Sequence, residues 1–140
     1  HMGSVKKYYD CFIHPSIEII SDIVERKSIQ ICGLINRDTQ EVVASYWFRD
    51  TGFYVNSDKP NVECFASMFD RNKISTNEFI AGFFNSVLKL SKEYNYLQLE
   101  RIGDNMLIPP LKWNYRTPCA YYLYNYSCSS VENKNLTIII

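Results

Sequence analysis

The chain has 140 residues, 46% of them hydrophobic and 15% aromatic, with 15 basic and 15 acidic side chains that cancel to zero net charge. Without a surplus of Lys and Arg to displace counterions from phosphates, nucleic-acid binding is not expected, although 11 Tyr and 8 Phe could stack on bases. No apolar run approaches the ~20 residues of a membrane span, so no membrane span is expected either.

His1-Met2-Gly3-Ser4 (residues 1–4) reads as a cloning scar. Residues 5–140 read as one domain with enough apolar side chains for a core. His14-Pro15-Ser16 opens a helix, with Ile17, Ile20, Ile23 and Val24 on one face and Arg26-Lys27 near its end. Residues 28–35 and 42–48 read as strands joined by a turn at 36–40, forming a hairpin. Residues 49–61, containing Gly52 and Pro60, read as a polar connection, and residues 62–69 as a third strand. After a short link at 70–74, Ser75 and Glu78 form a capping box. Phe79, Ile80, Phe83, Phe84, Val87, Leu88 and Leu90 then continue a helical stripe. A fourth strand is expected at 96–102, and a short helical stretch from Gly103-Asp104 that Pro109-Pro110 interrupts. Strands at 121–128 and 135–140 follow.

Strands separated by helices in this order predict an α/β (α+β) domain: a mixed, mostly antiparallel sheet flanked by helices on both faces. Cysteines at 11, 32, 64, 119 and 128 are odd in number, form no CxxC, and mostly lie beside apolar residues in strand-like segments. They read as reduced thiols of a cytoplasmic protein. Beyond the scar His14 is the sole histidine, so no His-based metal site and no Cys-His or Ser-His-Asp arrangement is expected. The sequons at Asn125 and Asn135 read as chance matches in strands.

The element order resembles the GNAT acyltransferase fold from its second strand onward. That fold holds the coenzyme A pyrophosphate at the N-terminus of its long helix, where orphan N–H groups and the helix dipole favour an anion. The matching loop here is Asp70-Arg71-Asn72-Lys73-Ile74-Ser75-Thr76, with no glycine to let backbone approach a phosphate. Arg71 and Lys73 could attract an anion or simply form a solvated loop.

One GNAT-like family matches this combination. Tyr121-Tyr122-Leu123-Tyr124-Asn125-Tyr126-Ser127-Cys128 resembles the late YYLYNWKC strand of protein N-myristoyltransferases, identical at six of eight positions. Leu111-Lys112-Trp113 resembles that family's Leu-Lys-Phe, and Gln40-Glu41-Val42-Val43 followed by Tyr46 resembles its Gly-Glu-Val hairpin. Such enzymes have two GNAT-like halves. The resemblance covers roughly residues 13–140 and is to the C-terminal half, which binds the acceptor peptide and lacks the coenzyme A loop.

The resemblance implies a domain that binds a peptide or protein with an N-terminal glycine. It would act with an N-terminal half that carries myristoyl-CoA, no cofactor being bound by this chain itself. The family's catalytic base is its C-terminal carboxylate, which deprotonates the glycine ammonium. Carried over, this is the carboxylate of Ile140, desolvated by the apolar segment 136–140. A peptide-contacting asparagine falls at Gln98 or Glu100, and a serine at Thr51. A tyrosine falls near Phe65 or Ala66, losing its hydroxyl. The family's Gly-x-Gly-Asp-Gly is replaced by Asn114-Tyr115-Arg116-Thr117-Pro118. Arg116 would repel a basic peptide residue that the family's aspartate attracts. Cys119 completes the candidate peptide-binding set. Three readings stay open: the acceptor half of an N-acyltransferase, a non-catalytic peptide-binding module derived from it, or a diverged GNAT enzyme. An isolated half would expose its mating surface, which implies a homodimer if no N-terminal half is present.

Overall fold

In the computed structural model, residues 16–109 are described in full, together with the backbone of two flanking strands, Cys11–Ile13 and Leu136–Ile138. The elements run β1 (Cys11–Ile13), α1 (Ile17–Glu25), β2 (Ile29–Ile35), β3 (Val42–Tyr54), β4 (Pro60–Phe69), α2 (Thr76–Leu90), β5 (Leu97–Leu99), a 3-10 helix (Gly103–Leu107) and β6 (Leu136–Ile138). A four-stranded sheet has the order β2-β3-β4-β5; its first three strands are antiparallel and β5 joins β4 in parallel. The mixed, mostly antiparallel sheet is as expected.

Alternation along β3 sorts the side chains onto two faces. Ala44, Tyr46 and Phe48 point toward α2 and pack with Phe69, Phe79 and Phe83 in the main core. The rings stack closely there, Phe69 on Phe79 at 4.6 Å and Tyr46 on Phe79 at 5.3 Å between centroids. Trp47, on the opposite face, packs with Ile29, Phe65, Ala66 and Ile23 of α1. Helices therefore lie on both faces of the sheet.

The hairpin turn forms because the Asn36 side-chain oxygen accepts from the N–H groups of Asp38 and Thr39. Ser16 caps α1 by accepting from the Ile19 N–H. Ser75 and Glu78 form the complete capping box of α2.

Four expectations need correction. The polar connection expected at 49–61 is mostly strand: β3 runs on to Tyr54 and β4 begins at Pro60. Gly52, at φ +69°, and the Asp50 side chain accepting from the Gly52 N–H bend the strand pair without ending it. The fourth strand is only Leu97–Leu99, because the chain leaves β4 at Glu100 and turns into the 3-10 helix. The α1 and α2 stripes overstate burial. Ile17 is 69% exposed and Leu88 67% exposed, and α1 has no buried residue. Finally, the Cys11–Ile13 strand was not anticipated. It pairs in parallel with Leu136–Ile138, within the strand expected at 135–140. Three residues are too few for periodicity to register. The strand expected at 121–128 lies outside the described residues.

Candidate functional site

The parallel strands β4 and β5 pair from Val62–Leu97 to Cys64–Leu99 and then part. A last main-chain bond, Glu100 N–H to Cys64 carbonyl at 3.1 Å, marks the divergence. Just there β4 carries a bulge: Trp47 opposes Ala66 and Phe48 opposes Cys64, leaving Phe65 unopposed.

The wedge between the strands is filled by the chain's own 3-10 helix. Asn105, fully buried, donates from its side-chain nitrogen to the carbonyls of Cys64 (3.2 Å) and Glu100 (2.9 Å). Its side-chain oxygen accepts a short bond from the Ser67 hydroxyl. One amide thus bridges two strands where their own ladder stops. Asp104 beside it accepts from the Phe69 N–H at 3.2 Å and pairs with Arg71.

The loop preceding α2 is closed on itself. Arg71 is held by Asp104, with its guanidinium also 5.2 Å from the Phe69 ring centre. Lys73 is held by Glu41 of the hairpin at 2.8 Å. The Glu78 carboxylate accepts from the Ser75 N–H at 2.8 Å, occupying a donor that an anion would use. The bond to the Ser75 N–H, then that to its hydroxyl, hold the Glu78 carboxyl below its ordinary range. Hydrogen bonding to Lys73 does the same for Glu41, and Lys73 is pushed up in return.

The groups nearest the divergence are not poised as nucleophile or base. Burial pushes the Cys64 thiol far up, so it stays protonated. Burial also raises Tyr46, whose hydroxyl donates to the Phe79 carbonyl at 2.6 Å. No group of three or more His, Cys, Asp or Glu side chains that could hold a metal occurs among the described residues. No helix among them is long and apolar enough to cross a membrane.

The opposite sheet face is polar toward β5. Arg49 pairs with Glu63 at 2.5 Å, and Gln98 lies beside Glu63 across the parallel pair. Asn61, two residues before Glu63 and so on the same face, is buried with a side-chain oxygen that has no hydrogen-bond partner among the described residues.

The sequence-derived positions distribute as follows. Gln98 is exposed on this polar face; Glu100 is half-buried at the end of β5. Thr51 lies in β3, its hydroxyl donating to the Asn61 carbonyl and accepting from the Phe53 N–H, both at 3.2 Å. Thr51 and Gln98 therefore meet β4 from its two sides, at Asn61 and Glu63. Phe65 is buried against Trp47. Arg116, Cys119 and Ile140 lie outside the described residues. Asp104 and Asn105 were not singled out from sequence. Their signal is two adjacent polar residues between the apolar Ile102 and Ile108, directly after a strand.

No protein-family model and no curated protein matches the sequence. Solved structures do match in shape. One is of a protein described as a probable acetyltransferase: TM-score 0.59 and 8% identity over 80% of this chain and 77% of the other. Another is ribosomal-protein-alanine N-acetyltransferase from Brucella melitensis biovar Abortus 2308: TM-score 0.58 and 9% identity over 89% and 86%. These define the class as the GNAT-like fold found in acetyltransferases. At such identities the likeness is one of fold.

Proposed function

We propose that this chain is a diverged GNAT-type acyltransferase domain specialised for the acyl acceptor, an amine-bearing peptide. The observation carrying this reading is the loop before α2: both cations are ion-paired within the chain, and the helix N-terminus is capped by Glu78. A pyrophosphate at that loop would have to displace two carboxylates and a capping carboxylate in turn. The fold of an acyltransferase without its usual anion site fits a domain that presents the acceptor. The polar face formed by Arg49, Glu63 and Gln98 suits N–H groups of a peptide.

In its finer form the reading is the peptide-binding half of a protein N-myristoyltransferase, supported by the resemblance of residues 121–128. Myristoyl-CoA would then be bound by an N-terminal half. Gln98 and Glu100 would contact the first peptide residues, with Thr51, Arg116 and Cys119 as further contacts, and the Ile140 carboxylate would serve as base. A second reading, a GNAT enzyme binding its own acyl-CoA elsewhere, draws on the two acetyltransferase-like structures.

Calorimetric titration with a peptide bearing a free N-terminal glycine, and with its N-acetylated form, tests the proposal. Binding of the free-amine peptide alone is expected, weakened by Glu63→Gln and Gln98→Ala. Equal binding of both forms, or of neither, would overturn it.

A further inference from the structure

On the opposite side of the molecule a groove of about 770 Å³ runs between β2 and α2. Its volume falls in the range of sites that take substantial ligands. The floor is Tyr46 and Gly82, pressed so closely that a Cβ on Gly82 would lie 2.3 Å from the Tyr46 hydroxyl.

The wall is informative. Four consecutive residues of β2, Ile31, Cys32, Gly33 and Leu34, all line the groove. Successive strand side chains point to opposite faces. Four in a row can border one cavity only where the strand's backbone edge is itself a wall. Indeed β2 is the terminal strand of its sheet, so its outer edge has no strand partner among the described residues. From Ile29 to Ile35 it carries no charge, and Ile31 and Ile35 are exposed, without the lysines or prolines that usually blunt an open edge.

The rim carries Lys89 and Lys92 and no acidic side chain among the described residues. Lys59 reaches the same corner, donating to the Lys92 carbonyl at 2.8 Å. Neither Lys89 nor Lys92 takes part in an ion pair among the described residues.

We propose that this groove binds an extended acidic peptide segment, which adds to the outer edge of β2 as a further strand. Main-chain bonds to β2 supply the pairing. Of its side chains that point to the α2 side, apolar ones lie against Cys32, Leu34 and Tyr46 and acidic ones meet Lys89 and Lys92. A second copy pairing through β2 would bring no acidic residue to the rim, since β2 has none. The surface is separate from the polar face assigned to the acceptor amine and does not depend on that assignment.

The test uses the full chain and a peptide of about eight residues, a usual strand length, with Val and Glu at the positions that face α2, Thr at those between, and both ends blocked. A blocked peptide carries no amine, so failure here leaves the acceptor reading untouched. Binding is read by fluorescence anisotropy, and the site by amide hydrogen exchange. Expected are binding of the Glu peptide, slowed exchange confined to β2, and weakening by about tenfold in Lys89→Glu/Lys92→Glu, the loss of two rim attractions. N-methylation of alternate peptide amides should abolish binding. Equal binding of a Val-Lys peptide, insensitivity to N-methylation, or occupation by laurate alone would overturn the proposal. So would a dimer that already protects β2 without peptide.

Discussion

At the scale of single residues, two positions carry specific tasks. Gly82 exists because Tyr46 crosses α2 there; the hydroxyl it would strike is anchored to the Phe79 carbonyl. Ala is ordinarily the better helix former by ~1 kcal/mol. Gly82→Ala should nonetheless lose about 1–2 kcal/mol, as overpacking outweighs propensity. Combining it with Tyr46→Phe should recover part of that loss, a coupling readable in a double-mutant cycle by urea unfolding. Additive effects would mean that the contact is relieved elsewhere.

Asn105 holds together strands that no longer hold each other. Replacing it by Ala strands two carbonyls and the Ser67 hydroxyl in a buried site. A loss of about 3 kcal/mol is expected. For a domain of this size that is a fall in Tm of roughly 10 °C. Thermal unfolding checks it, and a change below a few degrees would mean that water replaces the amide. Neither task could be read from sequence. A glycine inside a helix carries no mark of the ring that crosses it, and the bonds of Asn105 to Cys64 and Ser67 span about forty residues.

At the scale of elements, local signals translated well and long-range ones did not. The capping box at Ser75 and Glu78 is set by four consecutive residues, and the structure has it intact. The hairpin follows from its turn and flanking apolar residues. The end of β5 depends on where the 3-10 helix wedges in, and the reach of β3 to Tyr54 depends on pairing with Pro60; neither leaves a periodic trace. The predicted stripe of α2 was right at Phe79, Phe83 and Leu90, and wrong at Leu88, which reaches the open groove.

The loop before α2 should respond to acid. Glu41 and Glu78 have folded-state pKa values below the ordinary 4.5. Their contribution is therefore present above that value and fades as pH falls through the lower folded values. Hydrogen exchange across residues 70–78 should accelerate between neutral and strongly acidic pH before the sheet opens. Glu78→Gln should flatten the part of this response that comes from the cap. An unchanged profile in that variant would show that the box is held by Ser75 alone.

At the scale of the whole molecule, the sequence pointed to a GNAT-like sheet through element order, and the described residues have it. The candidate site was legible only in part. The glycine-free loop signalled a missing phosphate cradle. The ion pairs that close it join Arg71 to Asp104 and Lys73 to Glu41, partners about thirty residues apart that no local motif links. The polar face likewise joins Arg49, Glu63 and Gln98 only through register.

The central proposal is that this GNAT-like domain binds an acyl acceptor and not coenzyme A at the loop before α2. An NMR titration of the chain with coenzyme A tests it most directly, following the amides of residues 71–78. The account predicts no saturable shifts there at millimolar ligand, while a glycine-terminated peptide shifts Glu63 and Gln98. Saturable shifts at Arg71, Lys73 and Ser75 on adding coenzyme A would contradict it, and would place the chain among enzymes that bind their own acyl donor.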